Sequence, residues 1–115
     1  MFVEQRTYTL LSGKAPEYLR LYSEEGLQVQ RRILGRMVGY YSSEIGPLNQ
    51  IVHLWAYDTL DQRQTRRASL AADPAWQSYL KKILPLIVNM ESKILVPAPF
   101  ASHLVPNGDG HAAPL

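Results

Sequence analysis

Apolar and polar positions alternate in some stretches of this chain and recur every third or fourth residue in others. The two rhythms divide it into elements. Residues 2–11, FVEQRTYTLL, are rich in β-branched and aromatic types, contain neither Gly nor Pro, and predict a strand. Ser12, Gly13 and Lys14 interrupt it, and Pro16 stands where the first turn of a helix accepts a proline. From Ala15 to Leu34 the rhythm is helical: Tyr18, Tyr22, Gly26, Val29 and Ile33 share one face, and Gly35 is placed to cap the C-terminus. Residues 37–45, MVGYYSSEI, predict a second strand. GPLN predicts a turn, and residues 49–57, NQIVHLWAY, a third strand antiparallel to the second. Thr59 and Gln62 fit a capping box at the start of a helix reaching Asp73. Asp73 and Pro74 then restart a helix whose apolar face is Trp76, Tyr79, Leu80 and Ile83. Pro85 disfavours helical geometry at Leu84, and residues 87–96, IVNMESKILV, predict a fourth strand with Val88, Met90, Ile94 and Val96 in alternation.

Strand, helix, strand, strand, helix, strand is the order of a split βαβ unit. The expected fold class is α+β, a ferredoxin-like βαββαβ domain with a four-stranded antiparallel sheet. It spans residues 1–100, and the Pro- and Gly-rich residues 101–115 form an expected extended or disordered tail beyond about Phe100. Helices cover one face of such a sheet. A second copy of the chain laid sheet against sheet covers the other most economically, so a homodimer is expected.

A hairpin turning at GPLN pairs Ile45 with Gln50, and counting back sets Ser42 against His53, Tyr40 against Trp55 and Val38 against Tyr57. Close helix packing favours small and aliphatic groups, so Val52, Leu54, Ala56 and Gly39 are expected under the helices. Tyr40, Ser42, His53, Trp55 and Tyr57 then line the opposite side, with Arg6, Tyr8 and, further along, Glu4 from the first strand. The expected matching set on the fourth strand is Asn89, Glu91 and Lys93.

Composition narrows the chemistry. The chain has 115 residues, 46% of them hydrophobic, and no cysteine, which rules out disulfides, thiol catalysis and cysteine-bound metal. A net charge of +2 without a clustered basic stripe and stacking aromatics gives no reason to expect nucleic acid. No apolar run nears the roughly 20 residues that span a bilayer, and MFVEQRTYTL does not read as a signal peptide, so no membrane association and a cytoplasmic location are expected.

The runs RTYTLLSGKAPEYLRLY, GYYSSEIGPLNQIVHLWAYDTLDQR and DPAWQSYLKKILPLI resemble the NIPSNAP family, and the resemblance extends over about residues 2–100. It implies ferredoxin-like subunits paired as a dimeric α/β barrel. It implies no particular reaction. Related barrels include cofactor-independent monooxygenases and haem-degrading enzymes, and no residue motif here assigns the chain to either.

His53 is the candidate acid, base or polar ligand contact, since its ring titrates near neutral pH; the competing role is a hydrogen bond to Ser42 or a nearby carboxylate. Tyr8, Tyr40, Trp55 and Tyr57 either hold a flat or apolar ligand or pack a dimer interface. Arg6 and Glu91 either pair within the protein or anchor an acidic ligand. Arg63, Arg66 and Arg67, like Arg31, Arg32 and Arg36, read as solvated helix faces. No metal spacing, phosphate loop or nucleophile elbow occurs, and His103 and His111 lie in the tail, so neither metal nor cofactor is expected. The leading expectation is a homodimer that binds a small aromatic or apolar ligand. A cofactor-independent monooxygenase-like enzyme and a protein-interaction module are the alternatives.

Overall fold

The alternating N-terminal stretch forms strand β1 (Phe2–Leu10), and the helical stretch after it forms α1 (Ala15–Leu21), a single π-helical turn (Tyr22–Gly26) and α2 (Leu27–Leu34). Strands β2 (Arg36–Ser42) and β3 (Gln50–Tyr57) follow, then α3 (Leu60–Ala72), α4 (Pro74–Ile83) and β4 (Ile87–Leu95). The computed structural model describes residues 1–107. The strands form one antiparallel sheet in the order β2-β3-β1-β4, so β1 is central and β4 is an edge. The expected ferredoxin-like α+β architecture is the one found.

Local chemistry sets the element ends. Thr59 Oγ1 accepts from the Gln62 amide at 3.0 Å, and the Gln62 side chain accepts from the Asp58 amide at 2.8 Å. Asp73 accepts from the Trp76 amide at 3.0 Å and caps α4. Gly26, at the end of the π-helical turn, lets Tyr79 of α4 approach: a Cβ there would lie 2.8 Å from the Tyr79 ring. Tyr18, Tyr22, Val29, Trp76, Tyr79 and Ile83 are buried, as their spacing predicts.

The hairpin differs from expectation. Ser42 pairs with Ile51, Tyr40 with His53 and Met37 with Trp55, with an irregularity between Met37 and Gly39. The connection runs through residues 43–49, longer than GPLN, because Gly46 and Asn49 both adopt positive φ. The register therefore moves by two residues at Tyr40 and Ser42. An even shift preserves the face, so Tyr40, Ser42 and His53 still lie on one side.

The face assignment is reversed. Ile51, His53, Trp55 and Tyr57 lie beneath the helices, fully buried. Leu54 and Ala56 lie on the other side, packed with Val3, Val38 and Val105. The reason is volume. The helices do not press close enough for small residues alone to fill the layer, and the gap is filled by large rings from both sides. Gly39 likewise faces away from the helices, where a Cβ would meet the Tyr41 ring at 2.6 Å.

The far side is also less bare and less aromatic than expected. The chain returns after β4, makes a 3₁₀ turn at Ser102–Leu104, and buries Val105 against Ala56. Arg36 Nε donates to the Pro106 carbonyl at 3.1 Å and fixes this return. Residues 101–107 are thus ordered rather than extended, while residues 108–115 of the expected tail, with His111, lie outside the described residues. What stays open on that face carries Gln5, Thr7, Thr9, Gln50 and Val52.

Candidate functional site

The even positions of β1 place Glu4, Arg6 and Tyr8 under the helix layer, where they pair across the strand with Trp55, His53 and Ile51 of β3. Two chemically different regions result. Toward β2 lies a tyrosine cluster. The Tyr18 and Tyr40 hydroxyls share a hydrogen bond of 2.8 Å, Tyr22 stacks on Tyr40 with centroids 4.3 Å apart, and Tyr22 donates to Gln30 Oε1 at 2.6 Å. Burial pushes all these phenols well above the usual tyrosine range, so they stay neutral.

Toward β4 lies an ionic cluster centred on Glu4, which is fully buried. Arg63 of α3 donates to both carboxylate oxygens, Nε to Oε1 at 3.0 Å and Nη2 to Oε2 at 2.9 Å. Arg6 Nη1 reaches Oε2 at 3.0 Å and Ser92 Oγ reaches it at 2.6 Å. Arg6 also donates from Nε to the Tyr8 hydroxyl at 3.0 Å. Burial alone would raise the Glu4 pKa. The Arg63 and Ser92 hydrogen bonds and the Arg6 and Arg67 charges outweigh it and hold the carboxyl down at about 2.

Arg67 stands one helical turn after Arg63, on the same face of α3. It is partly buried and makes no hydrogen bond or ion pair with the described residues. Burial, and then the neighbouring Arg6 charge, lower its pKa from the usual arginine value.

His53 lies between the regions. Its ring stacks on Tyr40 at 4.7 Å and meets Tyr8 edge-on at 4.9 Å. Trp55 Nε1 donates to His53 Nδ1 at 2.8 Å, which places the imidazole proton on Nε2. That Nε2–H is buried and has no partner among the described residues, and neither have the buried hydroxyls of Tyr57 and Tyr79. Burial, then the positive charges of Arg6 and Arg67, push the His53 pKa down to about 3. Burial raises that of Tyr57 to about 12. At neutral pH both are neutral donors.

Of the sequence-derived candidates, Arg6, Tyr8, Tyr40, His53, Trp55 and Tyr57 share this buried layer. Ser42 ends β2, exposed and opposite Ile51, and does not reach His53. Glu91 lies on the opposite face, paired with Thr7, so the ion-pair partner of Arg6 is Glu4. A bulge between Thr9 and Leu10 sets the register of β4, and it is Ser92 that meets Arg6. The arginines of α3 are not a solvated face: Arg63 binds Glu4, and Arg66 Nη1 donates to the Leu34 carbonyl at 2.9 Å. Arg36, expected in a solvated cluster, is buried. Arg63, Arg67 and Ser92 were not among the candidates, although the i,i+4 spacing of the two arginines was readable.

Among the described residues no group of His, Asp and Glu side chains converges to hold a metal ion, and no cavity of ligand size is present. No helix there is long and apolar enough to cross a membrane.

The NIPSNAP family model matches residues 3–102. The chain belongs to the NIPSNAP family. NipSnap homolog 3A of Homo sapiens is 33% identical over 112 residues, which is 96% of this chain and 44% of that protein. The chain thus spans less than half the length of such NipSnap relatives. A NIPSNAP family protein with unknown function from Agrobacterium tumefaciens is 53% identical, with a TM-score of 0.85 over 87% of this chain and 90% of that one. An antibiotic biosynthesis monooxygenase shares the fold at 12% identity, with a TM-score of 0.61 over 86% of this chain and 100% of that one. That likeness concerns the fold alone.

Proposed function

We propose that this NIPSNAP chain is a small-molecule-binding module that works as a homodimer. Its ligand is held against the helix-covered side of the sheet, at the end lined by arginine. Three buried donors lack a partner among the described residues, His53 Nε2–H and the hydroxyls of Tyr57 and Tyr79, and the first two, both on β3, carry the reading. Leaving such a group unpaired costs about 1–3 kcal/mol, and an acceptor on a ligand removes that cost. The rings toward β2 are packed on one another, which leaves no space for a ligand among them.

A second copy is supported at β4. Its outer edge is unpaired, and Val88, Met90, Ile94, Leu95 and Val96 are exposed along it, with Phe100 and Leu104 just beyond. An apolar edge of this length invites strand pairing or face-to-face cover by another chain. The described residues of one chain enclose no cavity of ligand size, so the reading requires a partner at this edge, which borders the Glu4 cluster through Ser92, to wall the ligand site.

A second, enzymatic reading rests on fold analogy alone. Two features weigh against His53 as its general base: the Nδ1 lone pair is bonded to Trp55, and the pKa lies near 3. Mass spectrometry under non-denaturing conditions, on protein purified from its native host, tests the proposal. A dimer mass with a retained small molecule is expected. A bare monomer at micromolar concentration would overturn it.

A further inference from the structure

Strand β4 is exposed at every residue from 88 to 96, and its outer edge is unpaired. Proteins that must stay single guard such an edge with a proline, a bulge or an isolated lysine. In β4 the guards are misplaced for that purpose. Pro97 lies beyond the strand, the bulge lies at its start, and Lys93 is accompanied by Glu91 two residues before it. Neither of these two side chains makes an ion pair or hydrogen bond among the described residues. The run VNMESKILV is also nearly symmetric about Ser92: Val88 mirrors Val96, Met90 mirrors Ile94, and Glu91 mirrors Lys93 with its charge reversed. Pairing with β1 puts Asn89, Glu91, Lys93 and Leu95 on the open face and Met90, Ser92 and Ile94 on the helix side.

We propose that β4 recognises itself. Two copies of the chain pair their β4 strands antiparallel about a two-fold axis through Ser92, perpendicular to the sheet, and build one sheet from both. On the open face Glu91 then meets Lys93 of the partner subunit, twice by symmetry. On the helix side Met90 meets the partner's Ile94, and Val88 meets the partner's Val96 at the ends. Opposite charges and apolar pairs directly across two strands stabilise their pairing, and like charges oppose it. This fixes the register. The axis keeps the helices of both copies on one side, so it passes through a residue rather than between two. An axis at Glu91 sets glutamate against glutamate, and one at Lys93 sets lysine against lysine. An axis at Met90 or Ile94 leaves both charges without an opposite. Pairing β4 with β4 closes at two copies, whereas β4 on the partner's β2 edge would run on into a filament. The inference rests on the homodimer proposed above and names its surface and register. Ser92, on the axis, bonds Glu4 at 2.6 Å, so the partner's strand borders the Glu4 cluster of each copy.

The test measures the dimer dissociation constant of the full chain by sedimentation equilibrium at low ionic strength. It compares the parent with Glu91→Lys, with Lys93→Glu and with both exchanges together. All three variants change exposed side chains only, and circular dichroism should match the parent's. Each single reversal is expected to weaken the dimer about tenfold, and the double exchange to restore it. A general net-charge effect would instead move the two single variants in opposite directions, which overturns the inference. Mixed in equal amounts, with one of them labelled with nitrogen-15, the single variants should form a heterodimer in preference to either homodimer, read by mass spectrometry under non-denaturing conditions. A dimer indifferent to both reversals, or a double exchange no tighter than the singles, overturns the β4 pairing and leaves a homodimer formed through another surface. A parent that stays monomeric overturns both.

Discussion

On the β2 side of the buried layer, Tyr18 and Tyr40 share a hydrogen bond, Tyr22 stacks on Tyr40, and the Tyr22 hydroxyl meets Gln30. Around Glu4, the carboxylate is saturated with donors while Tyr57 and the Nε2–H of His53, both on β3, are left without partners among the described residues. Both regions lie under the same helices and on the same face of the same sheet. One has paired most of its polar groups within itself, the buried Tyr79 hydroxyl excepted, and its yield is stability. The other carries more positive charge and more donors than the fold can use. Polar groups that a fold buries without pairing need an explanation outside the fold, and a ligand is the simplest one. If the comparison is right, substitutions in the two regions should differ in sign as well as in size.

The largest effect is expected from Glu4→Gln. This carboxylate is the one anion that Arg6 and Arg63 bind, and the substitution leaves like charges packed together without it. Breaking a buried pair in this way costs about 3–5 kcal/mol. Urea unfolding at pH 7 measures it, and a loss below about 1 kcal/mol would show that the arginines escape to solvent unaided. Adding Arg67→Gln should recover part of the loss, because it relieves the repulsion that Glu4 offset.

Much of the fold was legible. Alternation marked the strands, three-and-four spacing marked Tyr18, Tyr22, Trp76, Tyr79 and Ile83 as core, and Thr59 with Gln62 and Asp73 with Pro74 marked the helix starts. Alternation also sorted β3 correctly into two sets of side chains. It could not say which set the helices cover, because that depends on how much volume the helix layer leaves open. Only packing decides this, and it put His53, Trp55 and Tyr57 inside. Registers failed where one residue departs from regular geometry: the irregularity after Met37, the positive φ of Asn49, and the bulge beside Thr9 that brought Ser92 rather than Glu91 to Arg6. The site was half legible for a related reason. Arg6 and His53 stood out on their strands, but Arg63 and Arg67 acquire meaning only when α3 is laid across β1, a contact between distant parts of the chain.

The next largest effect concerns pH, and it isolates His53, which touches both regions. Its pKa in the folded protein, about 3, lies below the ordinary 6.5, so below pH 6.5 the unfolded chain takes up a proton that the native ring refuses. Stability is complete above 6.5 and falls as pH drops toward 3. The loss is about 3 kcal/mol by pH 4.5. Glu4 contributes a separate window: its stabilisation is present above its ordinary 4.5 and is lost as pH falls from there toward about 2. His53→Asn, whose Oδ1 can still accept from Trp55, should therefore flatten the stability profile between pH 6.5 and 4.5 and leave the decline below 4.5 in place. Thermal midpoints across that range read the slope directly. An unchanged slope between 6.5 and 4.5 would mean that His53 protonates freely in the folded state.

The smallest effect is the most discriminating, since it removes the same atom from both regions. Tyr22→Phe deletes the hydroxyl that donates to Gln30 Oε1 at 2.6 Å, and Gln30 is itself buried. The amide oxygen is then left unpaired, and the expected loss is about 1–2 kcal/mol. Tyr57→Phe deletes a hydroxyl that is equally buried but has no partner among the described residues. It should be neutral or slightly stabilising, because a stranded polar group is replaced by a ring edge of the same shape. Paired urea titrations of the two variants measure the difference. Opposite signs would show that the Tyr22 hydroxyl is paired and the Tyr57 hydroxyl waits for something to bind, and equal losses would show that Tyr57 already has a partner in the folded protein.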